Sequence, residues 1–158
     1  NIAPPKKEDK KDLFVITKSE IDKLKRASAI WKYNISTMHA IAKSNNSKYF
    51  VILQPSFGIG MSWNEINSIV KKEMSNSNSY KSINFKRQSR LYYERINILY
   101  SFLSEYCAEI NYCINMSGIK NLNKDTTLFS DPRHHNNKGN MLIADNIADI
   151  IMMNKLLK

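Results

Sequence analysis

Apolar side chains recur every three or four positions over residues 19–44, which is the period of a helix with one buried face. Thr17 and Glu20 stand three residues apart just before this stretch. That is the spacing of a capping box, in which each residue satisfies a backbone N–H of the other at the start of a helix. Similar signals predict further helices over residues 62–74, residues 85–107 and from about residue 138 onward.

Two short runs between these helices are largely apolar instead of alternating with polar residues. They are YFVILQP at 49–55 and NYCINM at 111–116. Such runs of β-branched and aromatic residues are typical of strands buried on both faces, as in a parallel sheet. A third run, LFVI at 13–16, is a weaker strand prediction. Helices that alternate with such strands predict an α/β fold, but two parallel strands do not make a stable sheet in water. We therefore expect additional strands at the sheet edges.

The start of the chain differs in composition from the remainder. Residues 1–12, NIAPPKKEDKKD, combine two prolines with a dense run of charges, which predicts a linker or disordered arm. Residues 13–158 are numerous enough for one domain with a core of its own. Because the chain begins with Asn1 instead of Met, we expect a processed, truncated or partial product. No apolar run reaches 18 residues, so no transmembrane segment is predicted.

Charge and cysteine content narrow the functional classes. The formal net charge is +10, but lysine is spread along the whole chain and no basic motif interleaved with aromatic residues is present. This predicts a solvated basic surface and no nucleic-acid partner. Cys107 and Cys113 could form one disulfide, although two isolated thiols are the preferred interpretation, which leaves the redox compartment open. No spacing typical of a zinc site occurs.

The loop after the second predicted strand holds two of the three histidines. Ligands of doubly wound sheets bind beyond the carboxyl ends of the strands, so Asp131 and His134 stand where chemistry is expected. Pro132 favours an extended backbone at Asp131, from which the carboxylate can hold Nδ1–H of His134 and leave Nε2 as a general base. From spacing alone, a solvated loop before a capped helix is the preferred interpretation. A metal site of Asp131, His134 and His135 is weaker still, because adjacent histidines point to different sides.

The whole string DPRHHNNKGNMLIADNIADII, residues 131–151, resembles the closing segment of the SGNH (GDSL-type) hydrolase family. The matching positions are Asp131, His134, Asn136, Gly139, Asn140 and Ala144. YFVILQPSF also resembles the penultimate strand of that family, and the resemblance extends over residues 19–157. It implies a three-layer α/β/α fold with a parallel sheet (flavodoxin-like), which is incomplete in this chain.

The resemblance also implies roles for individual residues. His134 would be the general base that takes the proton of the nucleophile, Asp131 would orient it, and Asn136 with Gly139 would support the loop. The implied reaction is hydrolysis or transfer of an acyl group from an O-acyl ester, for example on an acetylated carbohydrate. No cofactor or metal is implied, and a secreted or periplasmic location is favoured.

The nucleophile of that family is missing from this chain. Neither its Gly-Asp-Ser segment nor its Gly-x-Asn-Asp segment occurs, and the chain has only four glycines. Ser56 follows a strand but lacks a tight turn and oxyanion donors, so we predict an exposed loop serine. We expect these residues to be the C-terminal part of such an enzyme, inactive alone and completed by an upstream segment or a second chain. The alternatives are a catalytically inactive SGNH-like binding module for glycan or an anionic surface, and an unrelated α/β binding protein.

Overall fold

The computed structural model describes residues 15–73, 83–118, 122–130 and 134–153. These residues form helices α1 (Lys18–Ser44), α2 (Trp63–Glu73), α3 (Ile83–Ala108) and α4 (Asn137–Met153), strands β1 (Val51–Leu53) and β2 (Cys113–Asn115), and a 3-10 helix at Thr126–Leu128. The four predicted helices and the two stronger strand predictions are therefore confirmed, with shorter strands than expected. The prediction that these strands are buried on both faces is wrong, because most of their residues are only half-buried and Asn115 is exposed. The predicted arm at 1–12 lies outside the described residues. Of the weaker strand prediction at 13–16, Val15 and Ile16 are described and are not in a strand.

The two strands pair in parallel, with Val51 opposite Cys113 and Leu53 opposite Asn115. A parallel pair needs a crossover connection, and here α2 and α3 supply it. The α/β class and the parallel sheet predicted from the apolar runs are thereby confirmed. No helix within the described part of the chain is long and apolar enough to cross a membrane.

The predicted capping box is present at the start of α1, and a second one precedes α2. At the start of α1, the backbone N–H of Thr17 donates to the Glu20 carboxylate at 2.9 Å, and the N–H of Glu20 donates to Oγ1 of Thr17 at 3.2 Å. Before α2, the N–H of Ser62 donates to Glu65 at 2.8 Å and the N–H of Glu65 donates to Oγ of Ser62 at 3.3 Å. These contacts satisfy N–H groups that have no partner inside a helix, so they determine where each helix begins.

Glu20 also forms an ion pair with Arg95 on α3, which makes helix packing sensitive to acid. The hydrogen bond from the Thr17 backbone and the pairing with Arg95 lower the pKa of Glu20 from 4.5 to about 2. Because the pKa is lower in the folded chain, the stabilisation is present above pH 4.5 and is lost as the pH falls toward about 2. We expect the urea midpoint of Glu20→Gln to fall less than that of the parent chain between about pH 5 and about pH 2.5. Equal falls of the urea midpoint in Glu20→Gln and in the parent chain would contradict the lowered pKa of Glu20.

Helices α1 and α3 run side by side in the same direction, and both pack near the sheet. Lys32 on α1 pairs with Glu109, just after the end of α3, at 2.5 Å. Between the helices and the sheet, Leu53, Leu103 and Cys107 form a buried cluster, and Trp31 of α1 packs against it. The predicted apolar stripe of α1 is thus covered in part by α3 and β1.

Cys107 and Cys113 form a disulfide, so the preferred interpretation of two isolated thiols is wrong. After α3 ends at Ala108, the chain reverses over four residues and enters β2. This reversal brings the two Cα atoms to 5.2 Å, which is within the range that a disulfide requires. The disulfide therefore ties the end of α3 to the start of β2.

Reduction of this disulfide is expected to lower the free energy of unfolding by about 2 kcal/mol. The reason is that the disulfide no longer restricts the entropy of the unfolded chain, and the restriction from so short a loop is of this size. Urea denaturation with and without a phosphine reductant measures the difference. A Cys107→Ala/Cys113→Ala double variant is the control, because the reductant should not change its midpoint. If the reductant does not change the urea midpoint of the parent chain either, the assignment of the disulfide is wrong.

The apolar face of α4 is only partly covered. Leu142 is exposed, and Ile143, Ile147, Ile150 and Ile151 are only half-buried. The 3-10 helix packs against the start of α4, and the remainder of the apolar face has little covering it among the described residues. Helix α1 likewise leaves Ile30, Met38 and Ile41 exposed.

Candidate functional site

The loops that follow β1 and β2 are joined at the carboxyl ends of the two strands. The backbone N–H of Gly58 donates to the carbonyl oxygen of Asn123 at 2.9 Å. The side-chain amide of Asn123, which is itself buried, donates to the carbonyl oxygen of Ile59. These contacts hold the loop after β2 against the loop after β1, so the two strand ends support one continuous rim.

A turn with two glycines shapes the loop after β1. Gly58 and Gly60 have φ values of 83° and 73°, a left-handed backbone that glycine adopts without strain. Asn97 of α3 spans the turn, because its amide donates to the Gly58 carbonyl at 3.0 Å and its oxygen accepts from the Gly60 N–H at 2.7 Å. Sequence reasoning missed Asn97 and Asn123, since neither belongs to a motif or a periodic pattern.

The histidine loop forms a short hairpin. Phe129 and His135 pair in antiparallel fashion, and the N–H of Ser130 donates to the carbonyl oxygen of His134 at 2.8 Å. Residues 131–133 lie between them and outside the described residues. The predicted contact of Asp131 with the imidazole of His134 therefore stays a prediction.

The two adjacent histidines have different environments. His134 is exposed, whereas His135 packs against the ring of Phe129 with 4.4 Å between ring centroids. Nε2 of His135 is buried without a hydrogen-bond partner among the described residues, and burial lowers the pKa of His135. Because the charged form of a buried imidazole is disfavoured, His135 is a neutral packing residue near pH 7. His134 is thus the more exposed of the two.

Asn136 connects this hairpin to the 3-10 helix and to α4. Its backbone N–H donates to the Leu128 carbonyl at 3.0 Å, and its side-chain amide donates to the Thr127 carbonyl at 2.8 Å. Its side-chain oxygen accepts from the N–H of Gly139 at 3.0 Å, which caps the start of α4. One side chain thereby holds the position of the residues that immediately follow His134.

Gly139, which the resemblance predicts to support the loop, lies within the first turn of α4. The requirement for glycine comes from close packing. A Cβ atom there would lie 2.2 Å from the carbonyl oxygen of Leu128 and 3.1 Å from the Cβ of His135. Since the closest atom belongs to the backbone, a side chain at this position would force α4 away from the hairpin.

Ser56 is buried, with 7% of its surface exposed, so the prediction of an exposed loop serine is wrong. The backbone after it folds back, and the N–H of Ile59 donates to the Ser56 carbonyl at 3.2 Å. A hydroxyl buried in this way is poorly placed to attack a substrate, which agrees with its rejection as the nucleophile.

Among the residues that the structure describes, no group of three or more His, Cys, Asp or Glu side chains is arranged to hold a metal ion. The chain matches no family model, no curated protein and no solved structure.

Proposed function

We propose that these residues are the C-terminal part of an SGNH-type serine esterase or acyltransferase that acts on O-acyl esters. His134 is its general base and Asp131 is the carboxylate that orients it. The observation that supports this most directly is the exposed His134 on a hairpin after β2, at the rim formed by the carboxyl ends of two parallel strands. This is the edge of an α/β sheet at which ligands are bound.

The chemistry follows from the imidazole. Nε2 of neutral His134 accepts the proton of a serine hydroxyl as its oxygen attacks the acyl carbon, and the imidazolium then returns the proton to the leaving alcohol. The Asp131 carboxylate holds Nδ1–H and stabilises the imidazolium while it carries the proton. The exposure of His134 fits a nucleophile that approaches from outside the described residues.

The supporting residues hold the backbone next to His134 in place. Asn136 bonds both to the 3-10 helix and to the start of α4, and Gly139 lets α4 approach the Leu128 carbonyl closely. His135 packs against Phe129 on the inner side of the same hairpin. A base whose neighbours are held in this way loses little freedom when it meets its partner, which is what a catalytic group requires.

The uncovered surfaces support the same proposal. Among the described residues the sheet has two strands of three residues each, which is small for a parallel α/β sheet. Each strand is paired on one side, and apolar residues of α1 and α4 are exposed, among them Ile30, Met38 and Leu142. We propose a three-layer flavodoxin-like sheet that is completed by strands outside these 158 residues. Those strands would carry the Gly-Asp-Ser and Gly-x-Asn-Asp segments.

The test compares the 158-residue chain with the product of any longer reading frame that includes codons before Asn1. We expect that frame to encode a strand followed by Gly-Asp-Ser and then Gly-x-Asn-Asp, and its product to hydrolyse p-nitrophenyl acetate. The chain alone should give no turnover above the buffer rate. A longer product without these segments and without turnover would refute the proposal and favour the inactive binding module.

A further inference from the structure

A cleft of about 490 Å³ opens between the start of α1, the loop after β1 and the middle of α3. Its size lies within the range of small-molecule binding sites. Most of its wall is hydrocarbon or aromatic, supplied by Ile16, Ile21, Met61, Trp63, Ile66 and Ile98. The cleft therefore favours an apolar ligand, since burial of hydrocarbon from water is its main source of affinity.

Several polar side chains along the cleft already have hydrogen-bond partners within the chain. Nε of Arg90 donates to the Glu94 carboxylate at 2.6 Å, so the one pair of opposite charges in its wall is compensated. Both the oxygen and the amide nitrogen of the Asn97 side chain are hydrogen-bonded to the glycine turn. Among the described residues, the wall thus offers no uncompensated charge that would select an anionic or cationic ligand.

The cleft is adjacent to the histidine hairpin through one aromatic residue. Phe57, which is buried in the loop after β1, packs edge-on against Tyr93 of the cleft wall with 5.9 Å between ring centroids. Its ring also packs edge-on against Phe129 of the hairpin at 5.8 Å. Phe57 thus links the wall of the cleft to the hairpin that carries His134.

We infer that this cleft binds the acyl chain of the substrate, so that the enzyme prefers esters of longer hydrocarbon acids over acetyl esters. This inference rests on the proposed function for the identity of the ligand as an acyl group. Each methylene removed from water contributes about fourfold in affinity, the equivalent of about 0.8 kcal/mol. A cleft of this character should therefore discriminate strongly by chain length.

Trp63 allows binding to be measured without catalysis. The chain has two tryptophans, and Trp31 packs in the separate cluster around Leu53. A Trp31→Phe variant of the 158-residue chain leaves Trp63 as the only indole. We expect decanoate to produce a saturable change in its emission and acetate, which carries the same charge, to produce none. The absence of saturation with decanoate would overturn the inference.

A variant that fills the cleft is compared with a variant that carries the same kind of substitution on an exposed surface. Ile98→Phe, in the Trp31→Phe background, should weaken decanoate binding by about tenfold or more, because the larger ring occupies space that the chain needs. Ile30→Phe, on the exposed face of α1, should leave binding unchanged. If Ile98→Phe loses its helical circular dichroism, Ile16→Phe at the cleft makes the same test. Equal affinity in the filled and control variants would overturn the assignment.

Different results would refute the acyl-chain assignment of the cleft and the esterase proposal. His134→Ala should leave decanoate binding intact, because the hydrocarbon wall does not include that residue. If decanoate does not bind although the longer gene product hydrolyses p-nitrophenyl acetate, the cleft assignment is wrong and the esterase proposal stands. Binding of decanoate without turnover of any p-nitrophenyl ester would refute the esterase proposal, and the identification of the ligand as a substrate acyl chain with it.

Discussion

His134→Ala in the longer gene product is expected to lower kcat/KM for p-nitrophenyl acetate by about four orders of magnitude. Without the imidazole, no group at the hairpin takes the proton of the serine as it attacks, and the alcohol is a poor nucleophile when its proton remains. Asp131→Asn should cause a loss of similar size, because an amide does not stabilise the imidazolium and favours the wrong tautomer. Initial rates over a range of substrate concentrations measure both effects.

The other two histidines are the controls for this prediction. His39 stacks on Tyr112 with 3.9 Å between ring centroids, and Tyr112 immediately precedes β2, at the opposite end of the strand from the hairpin. His39→Phe should keep the parental rate. His135→Phe should retain most of the activity, because its ring packs against Phe129 and its buried Nε2 has no hydrogen-bond partner among the described residues. If His135→Phe is as inactive as His134→Ala, or if His134→Ala keeps the parental rate, the site assignment is wrong.

Gly139→Ala is expected to destabilise the chain by about 3 kcal/mol. Within a helix this substitution ordinarily stabilises, by up to about 1 kcal/mol, because alanine is the better helix former. Here the sign should be reversed, since the added Cβ would meet the Leu128 carbonyl oxygen at 2.2 Å. Relief of that contact requires the start of α4 to move, and the cap from Asn136 would be disturbed with it.

Urea denaturation followed by circular dichroism measures this effect, and Gly118→Ala is the matched control. A Cβ atom at Gly118 would meet nothing within 4 Å, and its φ is not in the left-handed region, so its stability should change by less than about 0.5 kcal/mol. In the longer gene product, Gly139→Ala should also lower ester hydrolysis, because the displaced helix start carries the hairpin of His134 with it. Equal stability of the two glycine variants would contradict the close packing.

The elements of the fold could be predicted from the sequence because their causes are local. The helical period over 19–44 and the pair Thr17 and Glu20 depend on contacts three and four residues apart. Likewise, the apolar runs at 49–55 and 111–116 indicate the two strands by composition alone. The Asp131 to Gly139 string located a candidate site in the same way, although the role proposed for it comes from a resemblance and awaits the experiments above.

The features that the sequence could not predict depend on segments that are distant along the chain. Asn97 bonds to a glycine turn 37 residues earlier, and Asn123 bonds to Ile59 across 64 residues. The burial of Ser56 and the disulfide of Cys107 likewise depend on how the backbone turns after a strand or a helix.

From the sequence alone came the helices, the parallel strands and the candidate loop. Only the tertiary structure distinguished His134, which is exposed, from His135, which packs inside, and showed that Gly139 is needed for close packing. The physical reason is that periodicity and capping act within one helical turn, whereas burial and close approach depend on which surfaces the complete chain brings together.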